Sequence, residues 1–466
     1  MITALDSSVI DANSEAMGIG LPTLMTNAAS AIVSVLRSKF PDCVFAFVCG
    51  NGNNGGDGIV AAGMMDKCTV GVYLLGSRES IRSEFVREAV GRLECPVKDF
   101  SDFDGCNYDI LVDCALGTGV RGAARPPYDH FIEVANRFSG QVVSIDVPSG
   151  FGTGLSVKPD ITITFHDLKA GMSTENSGEI IVKDIGIPKE ACENTGPGDM
   201  LRYPIPPRDS HKGSNGRLLV IGGGPYYGAP AMSALASMRV GTDIVRLAVP
   251  ESCSAKVAAF SPVFMVSELE GESLHCGHVA EIMKLTEKFD AVLIGPGLGT
   301  SHETNEAVKE IVSSCGVPVV VDADGLTALG KEFVSPGKTV LTPHLGEFKR
   351  LGGCMEDIEH SLIKIAKKTK SVILLKGMTD LISDGNRIKR NLAGSPGMTS
   401  AGTGDVLAGI VAGLLSKGMD PFDAAALGTF ISGKAGEFSF GEKSYGMTAT
   451  DVIENIPKVL KKYLRR

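Results

Sequence analysis

Residues 44–63, VFAFVCGNGNNGGDGIVAAG, decide the fold. The β-branched and aromatic run VFAFV reads as a buried strand, the glycine- and asparagine-rich stretch after it as a loop, and an Ala-rich helix is expected to begin near Asp57. Glycines let backbone amides converge, and a helix start adds partial positive charge, so phosphate or pyrophosphate is welcome at that point. The loop lacks the Lys-Ser/Thr pair of a P-loop and has the wrong glycine spacing for a dinucleotide fingerprint. Asn-Gly pairs also make ordinary turns, so a binding role depends on what the neighbouring strand ends contribute.

Outward from this unit the alternation continues through VGVYLL, DILVDCAL and QVVSIDV. Such alternation predicts parallel strands with crossover helices, a doubly wound Rossmann-like α/β sheet with ligands at the carboxyl ends of its strands. Two further strand ends converge there: DILVDCALGTGVRG, carrying Asp113 and a second glycine loop, and VVSIDVPSG, carrying Asp146 and Ser149. Carboxylates beside an anion-binding loop suit general acid/base work or a cation site, although each alone also suits a helix cap. Residues 194–215 are rich in Pro, Gly and polar side chains, and the alternation then restarts in RLLVIGG, DIVRLAV, DAVLIGPG, PVVVDAD, KTVLTPH and SVILLKG. Two α/β domains are expected, 1–203 and 204–466, with the boundary near Tyr203 and no internal duplication.

Composition agrees with two domains. A chain of 466 residues exceeds the ~250–300 that one core usually spans. With 43% apolar and 21% charged residues the chain is that of a folded protein. A net charge of −9 argues against a nucleic-acid partner, which needs a basic surface. The basic tail Lys461, Lys462, Arg465 and Arg466 reads as charge offsetting the negative pole of a last helix. The 11 cysteines are scattered without C-x-x-C spacing and read as reduced, and His275, Cys276 and His278 lack a fourth ligand for a metal. The start carries Asp6, Asp11 and Glu15 and no basic leader, and the longest apolar run, 406–415, is too short for a bilayer. A cytoplasmic protein without a membrane partner is expected.

The runs NNGGDG, VDCALGTG, DVPSG, TITFHDLKAG and VKDIGIP together resemble the NAD(P)H-hydrate epimerase family, the YjeF N-terminal domain. The resemblance implies that Asn53, Asn54, Gly55, Gly56 and Asp57, with Gly117, Thr118, Gly119, Val120, Arg121, Gly122 and Ala123, bind the hydrate. It implies that Asn54, Asp113 and Ser149 help hold a potassium ion, that Asp146 contacts the reacting ring, and that Lys169 assists catalysis. The chemistry suits these residues: the hydrate carries a hydroxyl beside the ring nitrogen, whose lone pair expels it and leaves a planar iminium open to either face. Such a step needs one positioned proton donor and acceptor, and Asp146 is the candidate. Thr26 stands where the family usually has Glu.

In the second half SAGTGDVLAG leads small residues into a helix whose first turn holds Asp405. Loop amides and the helix pole form an anion hole for a transferring phosphoryl group, and the carboxylate accepts a proton from the attacking hydroxyl. With HKGSNGRLLVIGGGPYYGAP, LIGPGLG, VVVDADGL, LTPHLGEF and LLKGMTD, this half resembles the NAD(P)H-hydrate dehydratase family, with its ribokinase-like α/β fold. The resemblance implies that Ala229, Gly297, Gly299, His344 and Asp405 contact the hydrate, and that Lys376, Gly377, Met378, Thr379, Asp380, Gly402, Thr403 and Gly404 hold the nucleotide. It further implies ADP as phosphoryl donor with magnesium, AMP and phosphate as products, NADHX and NADPHX as substrates, and a homo-oligomer. Ala401 replaces the family's usual glycine. The rival reading is a ribokinase-like vitamin or sugar kinase with a non-catalytic ligand-binding N-terminal module.

Overall fold

The computed structural model describes residues 1–120 and 122–464, so Arg121 of the second glycine loop and Arg465 and Arg466 of the basic tail lie outside the described residues. The chain forms two compact units, Met1–Lys189 and Glu190–Arg466.

Unit 1 is a seven-stranded parallel sheet in the order β3-β2-β1-β4-β5-β6-β7. Its strands are β1 Phe45–Cys49, β2 Val70–Leu74, β3 Val97–Asp99, β4 Ile110–Cys114, β5 Gln141–Ile145, β6 Ile161–Phe165 and β7 Glu179–Lys183. Strand order reverses between β1 and β4, so the loops after these two strands diverge and leave a crevice at their carboxyl ends. Every residue of β1 is buried: Phe45, Phe47 and Cys49 enter the core on one face, while Ala46 and Val48 enter the core on the other. A continuous apolar run is what a strand covered on both faces requires. Cys49 and Cys114 are register partners on β1 and β4, and both sulfurs lie where a Cβ on Gly58 would fall, at 3.0 and 2.5 Å.

Helix α1 (Ala4–Ala16) opens on a capping box, with Thr3 Oγ1 accepting from Asp6 N and Asp6 Oδ2 accepting from Thr3 N. Helix α2 (Leu21–Lys39) buries Leu24, Ala28, Ile32 and Leu36, one side of a 3.6-residue period, on the sheet. Helix α3 spans Asn53–Gly63, starting earlier than the expected Asp57. The shift follows from packing: a Cβ on Gly55 would lie 1.8 Å from the Gly50 carbonyl oxygen. Only glycine lets the first turn of α3 close onto the end of β1.

Unit 2 is a nine-stranded sheet in the order β10-β9-β8-β11-β12-β13-β14-β15-β16. The strands are β8 Arg217–Ile221, β9 Ile244–Pro250, β10 Met265–Leu269, β11 Ala291–Ile294, β12 Val319–Val321, β13 Thr339–Leu341, β14 Val372–Leu375, β15 Asp380–Ser383 and β16 Ile388–Asn391. All pair in parallel up to β14; β15 and β16 then add antiparallel strands that the sequence reading did not single out. Alternation splits the core between faces: Leu218 and Val220 face the helices Gly228–Arg239 and Thr403–Ser416, while Leu219 and Ile221 face the opposite layer. The apolar run 406–415 lies in the helix Thr403–Ser416, buried from Val406 to its end. Among the described residues no single helix is long and apolar enough to cross a membrane.

The boundary between the units precedes the expected one near Tyr203, and contacts give the reason. Thr195 donates to Asn391 Oδ1 at 2.8 Å, its amide donates to the Arg390 carbonyl, and Met200 and Tyr203 belong to the core of unit 2. The proline-rich segment is therefore anchored rather than loose, through side chains that a composition argument does not weigh.

Candidate active sites

In unit 1 a cavity of about 800 Å³ lies at the carboxyl ends of the strands. Its walls come from the loop after β1 (Asn51–Asn54) with Asp57, from Leu116, Gly117, Thr118, Gly119 and Val120 after β4, from Asp146 after β5, and from His166 and Lys169 after β6. Ser80 and Arg82 after β2, with Ile2 and Asp11 near the N-terminus, complete it. Among the expected hydrate-binding residues, Gly55 and Gly56 are buried beneath this surface, and Gly122 and Ala123 do not line it. Helix α3 starts on Gly52 with no side-chain cap, leaving its first amides to a ligand anion.

Lys169, 4% exposed, pairs with Asp146 Oδ1 at 2.8 Å and donates to Thr164 Oγ1 and the Phe165 carbonyl at 2.9 Å each. Asp146 and His166, directly after β5 and β6, both hold left-handed backbone (φ 64° and 66°), a strained state for non-glycine residues that accumulates at functional sites. Asp57 is held well above the carboxylate range by burial first, then by the charges of Asp146 and Asp11. Asp11, although open to the cavity, is pushed up to about 6 by desolvation and by Asp146, against the pull of Lys169. The sequence reading used Asp11 only as a sign that no basic leader is present. Its place in the wall follows from the backbone bridge between Ile2 and Lys169, a long-range contact without a local signature.

Beneath the cavity Asp113, fully buried, accepts from Ser149 Oγ at 2.5 Å, Ser144 Oγ at 2.8 Å, and the Ser149 and Ala115 amides at 2.9 and 3.2 Å. Burial outweighs these bonds and raises its pKa. Ser149 Oγ also accepts from the Leu116 amide at 2.8 Å, and a Cβ on the next residue, Gly117, would sit 3.3 Å from Asn54 Cβ. Asn54 Oδ1 and Nδ2 are both buried without a partner. A buried amide oxygen lacking a donor at the start of α3, and a buried carboxylate bonded only by neutral groups on β4, the strand beside β1, make a donor set that fits a monovalent cation.

In unit 2, Lys376 Nζ pairs with Asp322 Oδ1 at 2.7 Å, and Thr342 Oγ1 donates to the same oxygen at 2.7 Å. Burial alone would lower the Lys376 ammonium, but the charge and hydrogen bond of Asp322 outweigh it and hold its pKa up. A Cβ on Gly404 would lie 3.4 Å from that Nζ, placing the ammonium at the start of the helix Thr403–Ser416. Gly402, at φ 92°, makes the turn into this helix, and no side chain caps it. Asp405 is therefore not spent on capping. Desolvation, with the charges of Asp322 and Asp324, raises it to about 7 against the pull of Lys376.

The remaining expected residues gather around these groups. Ser233 Oγ donates to the carbonyls of both Ala229 and Asp405, at 3.3 and 2.9 Å. The Gly299 amide donates to Asp324 Oδ2 at 2.9 Å, and Gly297 holds φ 73° with the Tyr226 carbonyl where a Cβ would stand. His344 Nδ1 accepts from the Gly346 and Glu347 amides, capping the helix Leu345–Arg350, and its backbone bridges to Lys376. The Gly377 amide donates to Asp380 Oδ1 at 3.1 Å; between β14 and β15, Met378 is exposed and Thr379 half-buried. Thr403 Oγ1 donates to the Met398 carbonyl at 2.8 Å. Asp322, at the end of β12, was quoted in VVVDADGL but given no part in the sequence reading; its burial at 1% exposure identifies it. Among the described residues no three His, Cys, Asp or Glu side chains gather as a metal cage.

Each unit matches a known protein family. The family described as NAD(P)H-hydrate dehydratase matches residues 218–458, and the family described as YjeF-related protein N-terminus matches residues 22–171. A bifunctional NAD(P)H-hydrate repair enzyme Nnr from Hyperthermus butylicus is 40% identical across 98% of this chain and 92% of its own. A ribokinase-like superfamily protein from Enterococcus faecalis superposes with a TM-score of 0.53 at 26% identity, covering 59% of this chain and 97% of its own. The ADP/ATP-dependent NAD(P)H-hydrate dehydratase from Bacillus subtilis, co-crystallised with ATP and Mg2+, has the same fold, with a TM-score of 0.50 at 24% identity over 57% of this chain and 96% of its own.

Proposed function

The chain belongs to the family of bifunctional NAD(P)H-hydrate repair enzymes, and from that membership we propose how its two units divide the work. Unit 1 interconverts the R and S epimers of NADHX and NADPHX; unit 2 dehydrates the S epimer with a nucleotide, returning NADH or NADPH. The observation that carries the first assignment is the Lys169–Asp146 pair on the cavity wall, 2.8 Å apart. Asp146, oriented by Lys169, accepts a proton; Asp57, whose pKa burial raises, donates one. The ring nitrogen's lone pair expels the hydroxyl as it takes the donor's proton, giving water and a planar iminium. Water then adds to the opposite face and gives its proton to Asp146, inverting the centre; Asp146 releases that proton to solvent and Asp57 regains one from it, which resets the site. Asn54, Asp113 and Ser149 would hold a potassium ion, which would supply fixed positive charge beneath the glycine loops.

In unit 2, Asp405 takes the proton of the hydrate hydroxyl, whose oxygen attacks the terminal phosphorus of ADP and releases AMP. Lys376, fixed by Asp322, and the amides at Thr403 and Gly404 receive the transferring phosphoryl group. Phosphate then departs with the C–O bond, and loss of a proton from the adjacent ring carbon restores the dihydropyridine. Magnesium would arrive on the nucleotide's own phosphates. Similarity over the whole chain to bifunctional repair enzymes, rather than over unit 2 alone, sets the kinase reading aside. Work on a dissolved cofactor accords with a cytoplasmic enzyme.

The test follows absorbance of the reduced nicotinamide as the full chain meets an epimer mixture of NADPHX with magnesium, potassium and ADP or ATP. Recovery of NADPH from both epimers is expected, with ADP the better donor. Accumulation of a phosphorylated hydrate, or of no NADPH with either nucleotide, would return unit 2 to the kinases.

A further inference from the structure

The cavity of unit 1 straddles the point where strand order reverses, and its two sides differ in chemistry. Asp146 and Lys169 follow β5 and β6 on one side; Ser80 and Arg82 follow β2 on the other. Between them stand Asn51–Asn54 and the uncapped start of α3, the place for a pyrophosphate. A dinucleotide with its reacting ring at Asp146 and its pyrophosphate on α3 therefore directs its adenosine ribose toward the loop after β2. In sheets of this order that loop senses the ribose: an acidic side chain takes a free 2′-hydroxyl, whereas an arginine takes a 2′-phosphate.

Here the loop presents an arginine. Its acidic member, Glu79, does not line the cavity and is engaged by Ser77 and its own backbone. The loop is held in place: Gly76, at φ 135°, packs where a Cβ would lie 2.8 Å from Asn51 Nδ2 and 3.2 Å from Ser80 Oγ, tying it to the phosphate loop. Arg87 Nη1, on the helix Glu84–Arg92, donates to the Ile81 and Arg82 carbonyls at 2.6 and 3.3 Å and fixes the backbone beneath Arg82. Among the described residues the Arg82 guanidinium has no carboxylate partner, and the cavity's other strong cation, Lys169, is committed to Asp146.

We propose that Arg82, with Ser80 beside it, binds the 2′-phosphate of the adenosine ribose, so that the epimerase site prefers the hydrate of NADPH over that of NADH. The inference rests on the epimerase reading of unit 1. A guanidinium–phosphate contact is bidentate and charge-assisted, so it should lower KM for NADPHX by about ten-fold or more relative to NADHX.

The experiment measures epimer interconversion by chromatography, with purified NADPHX and NADHX as separate substrates, for the full-length wild-type protein and for Arg82→Gln and Arg82→Lys. The expected result is a KM ratio between the hydrates of about ten or more in the wild type, collapsing toward one in Arg82→Gln and partly restored in Arg82→Lys. Equal KM values in the wild type, or a ratio that survives Arg82→Gln, would overturn the role of Arg82 and leave the epimerase reading standing. A wild-type protein that inverts neither hydrate would overturn both.

Discussion

At Asp146 the chain accepts left-handed backbone, at a cost of about 1–3 kcal/mol for a non-glycine residue, and Lys169 holds the resulting carboxylate. Asn tolerates that conformation as Asp does, so Asp146→Asn removes the charge without changing the turn. Epimerisation should fall about 10²-fold or more while dehydration of the S epimer continues; a full epimerisation rate would exclude Asp146 as the proton carrier. Asp405 is legible in the sequence because glycines and a carboxylate at a helix start form a local pattern, but its pKa of about 7 depends on Asp322 and Asp324 at the end of another strand. It must be ionised to accept a proton, so the dehydration rate constant should rise with pH through about 7 and level off above it. A rate flat across that range would remove Asp405 from the role of base. Asp322 itself compensates a buried ammonium, so Asp322→Ala should lower both the thermal midpoint and the dehydration rate, at a cost of about 3–5 kcal/mol in stability.

At the scale of the element, the strands were readable because burial on both faces demands uninterrupted apolar runs such as FAFVC and ILVDC. The start of α3 was not, because Asn and Gly are poor helix formers in isolation and only the approach of Gly55 to the Gly50 carbonyl shows why the helix includes them. The hairpin of β15 and β16 was missed for a similar reason: DLIS and IKRN carry polar side chains and gain order by pairing on the edge of β14. Gly55→Ala tests the packing of α3 directly. Its methyl would meet a backbone oxygen that cannot rotate away, so unit 1 should lose about 1–3 kcal/mol and its epimerase activity, while dehydration persists. Unchanged epimerisation and melting would mean that the close approach is not required.

Across the whole molecule each unit carries cores of its own, and each is expected to unfold as its own cooperative step. Calorimetry of the full chain should show one transition rising when potassium replaces a bulky organic cation, through the set around Asn54, and another rising with ADP. Binding at a hundred times Kd adds about 2.7 kcal/mol to the unit that binds. Potassium that shifts neither transition, or shifts the one that ADP shifts, would dissolve the cation assignment. The split of labour was legible because two separate glycine-loop patterns flank a proline-rich stretch; the exact joint was not, because Thr195, Met200 and Tyr203 declare their allegiance through distant partners. The paired sulfurs of Cys49 and Cys114 offer a clock for unit 1. Neither is reachable by a thiol reagent while β1 and β4 stay covered, so the speed at which a dye labels them counts how often that half of the enzyme opens, and a bound hydrate should slow the count without any new cysteine being introduced.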